Sequence, residues 1–304
     1  MPTRRPPRRR VKVDPVTGIK RPIKDEKSTK NKGRKPRGRK QAAPDSGHAA
    51  DLLYGFHACR AAWLNPRRRI NCMWITRESA AQFEDTLKTA AKQGLKRPAP
   101  MVVPRHDLIS RLPEGAIHQG IAIDAHTPPV PEWVELQADL AKSDEALVVM
   151  LDQVTDPHNV GAVMRTAAAF GARAIIVQDR HAPRITGVLA RSASGAVDHV
   201  PMVRVPNLSR ALSLLQNAGM WTVGFSERAS TRLTTGLAAR KLCLVLGSEG
   251  TGLRRLVAEH CDALVRLPTR PVLPTLNVSN AAAIAMYEAQ RQMVLQRGDG
   301  EVDE

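Results

Sequence analysis

Uninterrupted apolar runs alternate with helix-like segments through the C-terminal half of the chain. The clearest run, residues 146–152, has only apolar side chains before its final aspartate. A strand that is apolar at every position is buried on both faces, as in a parallel sheet covered by helices. Strands are predicted at residues 146–152, 174–177, 200–205, 221–225, 242–246 and 263–267, and helices at 160–170, 187–194, 209–218, 253–260 and 278–296. The alternation predicts an α/β domain with a mostly parallel sheet over residues 144–304.

A smaller α/β domain is predicted over residues 49–125. Its predicted strands are residues 70–76, 100–103 and 121–124, and its predicted helices are 51–64, 79–93 and 107–112. Residues 126–143 contain Pro128, Pro129 and Pro131 and are predicted to form a linker with a short helix.

Positive charge is concentrated at the N-terminus. The chain of 304 residues has a formal net charge of +17. Residues 1–48 hold 17 Lys and Arg against 4 Asp and Glu, a net +13, with seven prolines. This segment has too little apolar surface to offset the entropy of ordering, so we expect it to be disordered when free. An arm that binds nucleic-acid phosphates is favoured, and a solubilising tail is the alternative.

Several classes of protein are disfavoured by what the sequence lacks. It has no apolar stretch long enough for a bilayer and no apolar core of a secretory signal, so we expect a cytoplasmic protein with no membrane association. The GxxxxGK[ST], GxGxxG and GxSxG patterns of nucleotide triphosphatases, dinucleotide-binding enzymes and serine hydrolases are missing. Four widely spaced cysteines predict reduced thiols and no metal site: Cys59, Cys72, Cys243 and Cys261.

Three polar segments lie where predicted strands give way to loops and helices, which is the usual ligand edge of such a sheet. In the first segment, Asn159 lies near the start of a helix and Arg165 about two turns later. Helix capping alone explains Asn159 on general grounds. Arg165 stands among Ala and Val residues, so we expect its guanidinium to have a carboxylate or phosphate partner.

The second and third segments carry more polar and glycine residues than a simple loop needs. Glu249 lies among Gly247, Gly250 and Gly252, and glycines permit close backbone approach to a ligand; a solvated loop acid is the alternative. The third segment opens an Ala-rich helix with four polar residues, where capping needs one. These four are Thr275, Asn277, Ser279 and Asn280. The surplus indicates groups shaped for a ligand.

The three segments read DPHNVGAVMRTAAAFGA, LVLGSEGTGL and LPTLNVSNAAAIAMYEA. They resemble, in order, motifs 1, 2 and 3 of the SpoU-type RNA 2′-O-ribose methyltransferases, the TrmH-like branch of the SPOUT superfamily. The resemblance covers residues 144–296. It extends weakly to residues 54–123, where YGFHACRAAWLNPRRRI and IHQGIAI resemble the family's ribosomal-protein-like RNA-binding domain. Residues 180–212 are similar to the subgroup that methylates a guanosine of 23S ribosomal RNA.

This resemblance implies a trefoil knot at the carboxyl end of the sheet, S-adenosylmethionine as cofactor, a homodimer, and no metal. It implies a catalytic group of Asn159, Arg165, Glu249 and Asn277. It also implies cofactor contacts, mostly through backbone groups, at Gly247, Leu267, Thr275, Leu276 and Ser279. Arg165, assisted by a substrate phosphate, is expected to orient the 2′-hydroxyl and to act electrostatically, since arginine stays protonated. Asn159 and Glu249 are expected to fix Arg165 and the ribose. Three residues depart from the family pattern: Thr275 replaces the usual Ser, and Pro271 and Pro274 replace smaller residues.

RNA contacts are expected from the first domain, chiefly through phosphate and shape because aromatic residues are few. The candidates are His57, Arg60, Arg67, Arg68, Arg69, His118 and Gln119. A solvated loop is the alternative for the three consecutive arginines.

The predicted function is 2′-O-ribose methylation of a 23S rRNA guanosine. A transfer-RNA ribose methyltransferase of the same family, or a non-catalytic RNA-binding or ribosome-assembly factor on the same fold, is the alternative.

Overall fold

The computed structural model describes residues 11–13, 20–22, 51–270, 272 and 275–297. The chain divides into two compact units, residues 1–46 and 47–304. In the first unit, strands β1 (Val11–Val13) and β2 (Lys20–Pro22) pair antiparallel. At these six residues the structure differs from the predicted disorder, because each strand satisfies backbone groups of the other. The rest of the predicted disordered tail lies outside the described residues.

A four-stranded sheet with three helices opens the second unit. Its elements are β3 (Asp51–Tyr54), α1 (Phe56–Leu64), β4 (Ile70–Ile75), α2 (Arg77–Lys92), β5 (Met101–Val102), α3 (Arg105–Ile109) and β6 (Ile121–Ala125). The strand order is β3-β6-β4-β5, in which β6 runs antiparallel to β3 and β4. The helix predicted over residues 51–64 is wrong for its first part. Leu53 and Tyr54 are buried on a strand that pairs with β6, and this pairing overrides the local helical pattern.

The predicted linker helix is present as α4 (Trp133–Lys142), which begins with a capping box between Glu132 and Glu135. The larger sheet follows it. Its elements, in chain order, are β7 (Ala146–Asp152), α5 (Pro157–Ala169), β8 (Ala174–Gln178), α6 (Gly187–Ser192), β9 (Met202–Val205), α7 (Leu208–Asn217), β10 (Trp221–Phe225), β11 (Thr231–Arg232), α8 (Leu233–Gly236), β12 (Lys241–Gly247), α9 (Arg255–Glu259), β13 (Ala263–Arg266) and α10 (Val278–Arg297).

All seven strands of this sheet are parallel, in the order β11-β13-β10-β12-β7-β8-β9. The predicted parallel α/β sheet is therefore confirmed. Strand β7 is buried at every position, as its unbroken apolar sequence predicted. The short elements β11 and α8 were not predicted, because a two-residue exposed strand leaves no periodic signal.

Alternate residues of β7 enter two separate cores on the two faces of the sheet. Leu147, Val149 and Leu151 join one core, whereas Val148 and Met150 join the other. The first core includes residues of α5 and α10 and continues into the small domain through Trp63 and Phe83, among others. The small domain and the parallel sheet thus share a core. Among the described residues, no helix combines the length and apolar character needed to cross a membrane.

Candidate active site

Strands β7 and β12 end side by side, with Asp152 paired to Gly247 at the last position of their register. In a parallel sheet, the carboxyl ends of the strands form one edge, and loops from several strands meet there. The helices α5 and α10 begin close to this edge, and β13 ends near it. The three segments predicted to carry the chemistry are therefore brought together by the topology of the sheet.

Asn159, Glu249 and Asn277 form one hydrogen-bonded cluster. Oε1 of Glu249 accepts hydrogen bonds from Nδ2 of Asn159 at 3.2 Å and from Nδ2 of Asn277 at 2.6 Å. Nδ2 of Asn277 also donates to Oδ1 of Asn159 at 3.0 Å, and the backbone N–H of Val278 donates to Glu249 at 3.4 Å. Glu249 therefore joins motifs 1, 2 and 3. It is exposed, as a solvated loop acid would be, but its hydrogen bonds to Asn159 and Asn277 give it a role that the alternative does not include.

The capping alternative for Asn159 is wrong, because another residue caps α5. Asp156 is the N-cap residue, and its carboxylate accepts a hydrogen bond from the backbone N–H of His158 at 3.0 Å. The amide of Asn159 is left for the cluster. At the start of α10, Oδ1 of Asn277 accepts hydrogen bonds from the backbone N–H and the hydroxyl of Ser279, at 2.8 Å and 2.5 Å. Asn277 thus stabilises the end of α10 and fixes it to the cluster.

Arg165 does not join this cluster. It lies exposed on α5, six residues and therefore about 9 Å along the helix from Asn159. It makes no hydrogen bond or ion pair with any residue that the structure describes. Of the two partners expected for Arg165, the described residues therefore supply no carboxylate, and a phosphate of a second molecule stays a prediction. Asn159 and Glu249 do not contact Arg165 in this structure. The buried face of α5 is formed by residues such as Val163 and Ala167, and Arg165 lies outside it, available to a second molecule.

The loop after β12 folds back tightly on its own strand. The backbone N–H of Gly252 donates to the carbonyl of Ser248 at 2.9 Å. A Cβ atom on Gly247 would lie 2.1 Å from the carbonyl carbon of Gly252, so only glycine fits there. This requirement explains the glycine that ends the strand, because the backbone of the returning loop occupies the space that a side chain would fill.

Sequence reasoning missed Asp152, which anchors the same loop. Its side chain is fully buried, Oδ2 accepts a hydrogen bond from the backbone N–H of Arg254 at 2.8 Å, and Oδ1 accepts one from Nε of Arg254 at 2.7 Å. The sequence feature that could have identified Asp152 is an aspartate at the end of an otherwise apolar strand. Gln153, the next residue, has a positive φ of 61°, which turns the chain sharply at this edge.

The predicted cofactor positions surround the edge. Leu267 is half-buried against the core, whereas Thr275 and Leu276 are exposed. Val272, in the same loop, is 88% exposed. These uncovered apolar side chains, beside the polar cluster that includes Asn277, fit a cofactor with a planar base and polar edges. Pro271 and Pro274 lie outside the described residues. No group of three or more metal-binding side chains occurs in the described part of the chain.

The RNA-binding candidates of the first domain divide into exposed and buried residues. His57, Arg60, Arg67, Arg69 and Gln119 are exposed. The side-chain oxygen of Gln119 also accepts a hydrogen bond from the backbone N–H of Phe56, at 2.9 Å, at the start of α1.

Arg68 and His118 are buried, so the prediction that they contact RNA is wrong. The side chain of Arg68 is inaccessible, and its Nη1 lies 2.8 Å from Oδ2 of Asp198 in the large domain. Nδ1 of His118 accepts a hydrogen bond from the backbone N–H of Gly120 at 3.0 Å. Burial, assisted by the charge of Arg105, lowers the pKa of His118. Neither role was visible in the sequence, because each depends on contacts formed only after folding.

Comparison with known proteins agrees with this architecture. Residues 146–287 match the model of the SpoU rRNA Methylase family, and residues 52–131 match that of the RNA 2′-O ribose methyltransferase substrate-binding domain. An uncharacterized tRNA/rRNA methyltransferase of Synechocystis is 40% identical over 80% of this chain, which spans 63% of that protein. The 23S rRNA (guanosine-2′-O-)-methyltransferase RlmB of Pseudomonas putida is 36% identical over 81% of this chain and 98% of its own length.

Solved structures show the same fold. The SpoU methyltransferase AviRb from Streptomyces viridochromogenes, in complex with AdoMet, matches with a TM-score of 0.65 and 25% identity, over 83% of this chain and 92% of that one. Fold and site together define an RNA methyltransferase in which a substrate-binding domain precedes a parallel α/β catalytic domain. The chain belongs to the SpoU rRNA methylase family.

Proposed function

We propose that this protein uses S-adenosylmethionine to methylate the ribose 2′-hydroxyl of a guanosine in 23S ribosomal RNA, in the cytoplasm. The observation that carries the proposal is the cluster of Asn159, Glu249 and Asn277, which joins all three motifs through one carboxylate oxygen. The guanosine target is supported by the relative from Pseudomonas putida, which is named for that reaction and which this chain covers almost completely.

The residues at the carboxyl edge would hold the cofactor. Gly247 would contribute its backbone groups, Leu267 and Leu276 offer apolar surface, and Thr275 and Ser279 add polar groups. When bound, S-adenosylmethionine supplies a methyl group activated by a sulfonium. The hydrogen bonds of the polar cluster fix the positions of the three loops relative to one another, so that the site does not have to reorganise when the ribose binds.

Arg165 orients the RNA. A guanidinium presents donors that match a phosphate in a bidentate manner, so Arg165 acts as a positioning and electrostatic group rather than as a base. Its exposure and lack of a partner among the described residues leave these donors available. The exposed residues His57, Arg60, Arg67 and Arg69 add sequence-independent contacts to the RNA backbone.

A second copy of the chain covers the outer face of α10. Ile284, Tyr287 and Leu295 are 42%, 57% and 56% exposed, and their spacing places them on one stripe of the helix. Exposed apolar stripes of this kind mark interaction surfaces. Tyr287 also contacts Phe170, which ends α5, the helix that carries Arg165. A homodimer through this face would bring a second chain close to Arg165.

The test is ribose-methylation mapping of total RNA from a strain that lacks the gene. Expression of the wild type should restore one guanosine mark in 23S rRNA, and expression of Arg165→Ala should not. The loss of a tRNA mark, with rRNA unchanged, would instead support the tRNA-modifying alternative. Full restoration by Arg165→Ala would overturn the role of Arg165. The absence of any lost mark would favour a non-catalytic RNA-binding factor.

A further inference from the structure

A cleft of about 380 Å³ lies at the junction of the small domain and the large domain, outside the motif cluster. Its volume falls in the range typical of ligand sites, about 300–1,000 Å³. The small domain contributes residues of α1 and the loop after it, and the large domain contributes the turn after α6. The polar lining consists of His57, Arg60 and Asn65 from the small domain and Ser194, Asp198 and His199 from the large domain.

The negative charge at this cleft is neutralised within the protein. Asp198, the acidic residue of the lining, accepts a hydrogen bond from Nη1 of Arg68 at 2.8 Å and from Nδ2 of Asn65 at 2.9 Å. Nε and Nη2 of Arg68 are buried and have no hydrogen-bond partner among the described residues. Because it is paired with Arg68, Asp198 does not repel an anion bound in the cleft. Arg60 contributes a guanidinium to the cleft, and His57 and His199 contribute imidazole donors.

The wall contributed by the large domain is a tight turn with an unusual backbone. Ser194 and Gly195 both have positive φ, 52° and 91°, and the N–H of Ser194 donates to the carbonyl of Arg191 at 3.0 Å. A Cβ atom on Gly195 would lie 2.6 Å from Cβ of Ala61, so the glycine allows α1 to approach. Such strain at a non-glycine residue occurs preferentially at functional sites, and here it places Ser194 in the lining.

We propose that this junction cleft binds one phosphate–ribose unit of the RNA substrate, with both domains contacting the same nucleotide. This inference rests on the proposed RNA substrate and adds Ser194 and His199 to the RNA-binding surface. A guanidinium and imidazoles suit a phosphate, and a serine hydroxyl, which both donates and accepts, suits a 2′-hydroxyl. A nucleotide held here would fix the RNA relative to both domains.

The experiment measures binding of a 23S rRNA transcript to the full chain at several salt concentrations. The variants are Arg60→Ala in the small domain and His199→Ala in the large domain, both at exposed positions. The matched control is Arg210→Ala, an exposed arginine on α7 that does not line the cleft. We expect Arg60→Ala to weaken binding about tenfold and to reduce the salt slope by about 0.7, the value for one phosphate contact on a single strand.

The two substitutions should also be non-additive when combined, because side chains that hold one phosphate are coupled. Additive effects, or effects no larger than that of Arg210→Ala, would overturn the cleft proposal while leaving the proposed function intact if methylation proceeds. A wild-type chain that neither binds nor methylates the transcript would overturn both. Binding of S-adenosylmethionine, measured by calorimetry, should be the same in all variants, which shows that the loss is specific to RNA.

Discussion

Asp152 illustrates how one buried charge organises the residues around it. Its carboxylate holds the backbone and the side chain of Arg254, and thereby the end of the loop that carries Glu249. An isolated buried carboxylate would be strongly unfavourable, so its two hydrogen bonds are necessary rather than incidental.

Replacing Asp152 with Asn should therefore loosen the cofactor edge. The amide keeps the shape but loses the charge and one acceptor, so we expect a loss of about 1–3 kcal/mol in the free energy of unfolding and weaker S-adenosylmethionine binding. Denaturant unfolding and calorimetry measure the two effects. Asp139→Asn is the matched control, since the pair of Asp139 with Arg173 is exposed and should contribute little. Unchanged cofactor binding in Asp152→Asn would contradict the positioning role.

His118 provides a prediction about pH. Burial lowers its pKa below the ordinary histidine value of 6.5, and its Nδ1 accepts a hydrogen bond that a second proton would break. Between the folded-state pKa and pH 6.5, the unfolded chain therefore binds more protons than the folded chain. The stability that neutral His118 contributes to the fold is present above pH 6.5 and is lost as the pH falls through the folded-state pKa. Urea unfolding at pH 7.5 and pH 5 should show a smaller loss of stability for His118→Asn than for the wild type. Equal losses would contradict this assignment.

Among the elements, α10 has two different faces. Its inner face carries buried residues that pack on the sheet, and its first turn is fixed to the cluster by Asn277. Its outer face carries the apolar stripe of Ile284, Tyr287 and Leu295. A single helix therefore connects the candidate active site with the proposed dimer interface.

A charge placed on this stripe should separate the two copies. Burial of a carboxylate without a partner is unfavourable, so Tyr287→Asp should be monomeric in light scattering while the wild type is dimeric. Leu256→Asp, at an exposed apolar residue on α9, should leave the mass unchanged. A dimeric Tyr287→Asp variant would locate the interface elsewhere.

Elements with a clear pattern of apolar residues along the sequence were predicted well. Short strands that are defined only by pairing with another strand were not. The unbroken apolar sequence of β7 and the apolar period of α7 required no tertiary information. Strand β3 was predicted as helix because its four residues continue the apolar pattern of α1, and only pairing with β6 distinguishes the two. Strand β11 depends entirely on β13 beside it.

At the scale of the whole molecule, most of the charge and most of the chemistry occupy different regions. Residues 1–48 carry +13 of the net +17, whereas the motif cluster lies in residues 159–277. Deletion of residues 1–48 should therefore weaken RNA binding and reduce its salt dependence, while S-adenosylmethionine binding is retained. Filter binding at increasing salt, together with calorimetry, measures both. An unchanged salt slope would show that the tail does not contact the RNA.

By itself, the sequence determined the parallel α/β class and the three polar segments, and the resemblance of these segments to a known family supplied the candidate residues, Arg165 among them. These features are local: strand and helix periods and motif spacings extend over a few residues to a few turns. Only the tertiary structure decided that Glu249 accepts from residues 90 and 28 positions away and that Asp198 pairs with Arg68 across 130 positions. It also decided that Arg165 is exposed and makes no hydrogen bond with the cluster. The physical reason is that burial and long-range hydrogen bonds depend on which segments the folded chain brings together, and no local pattern encodes that.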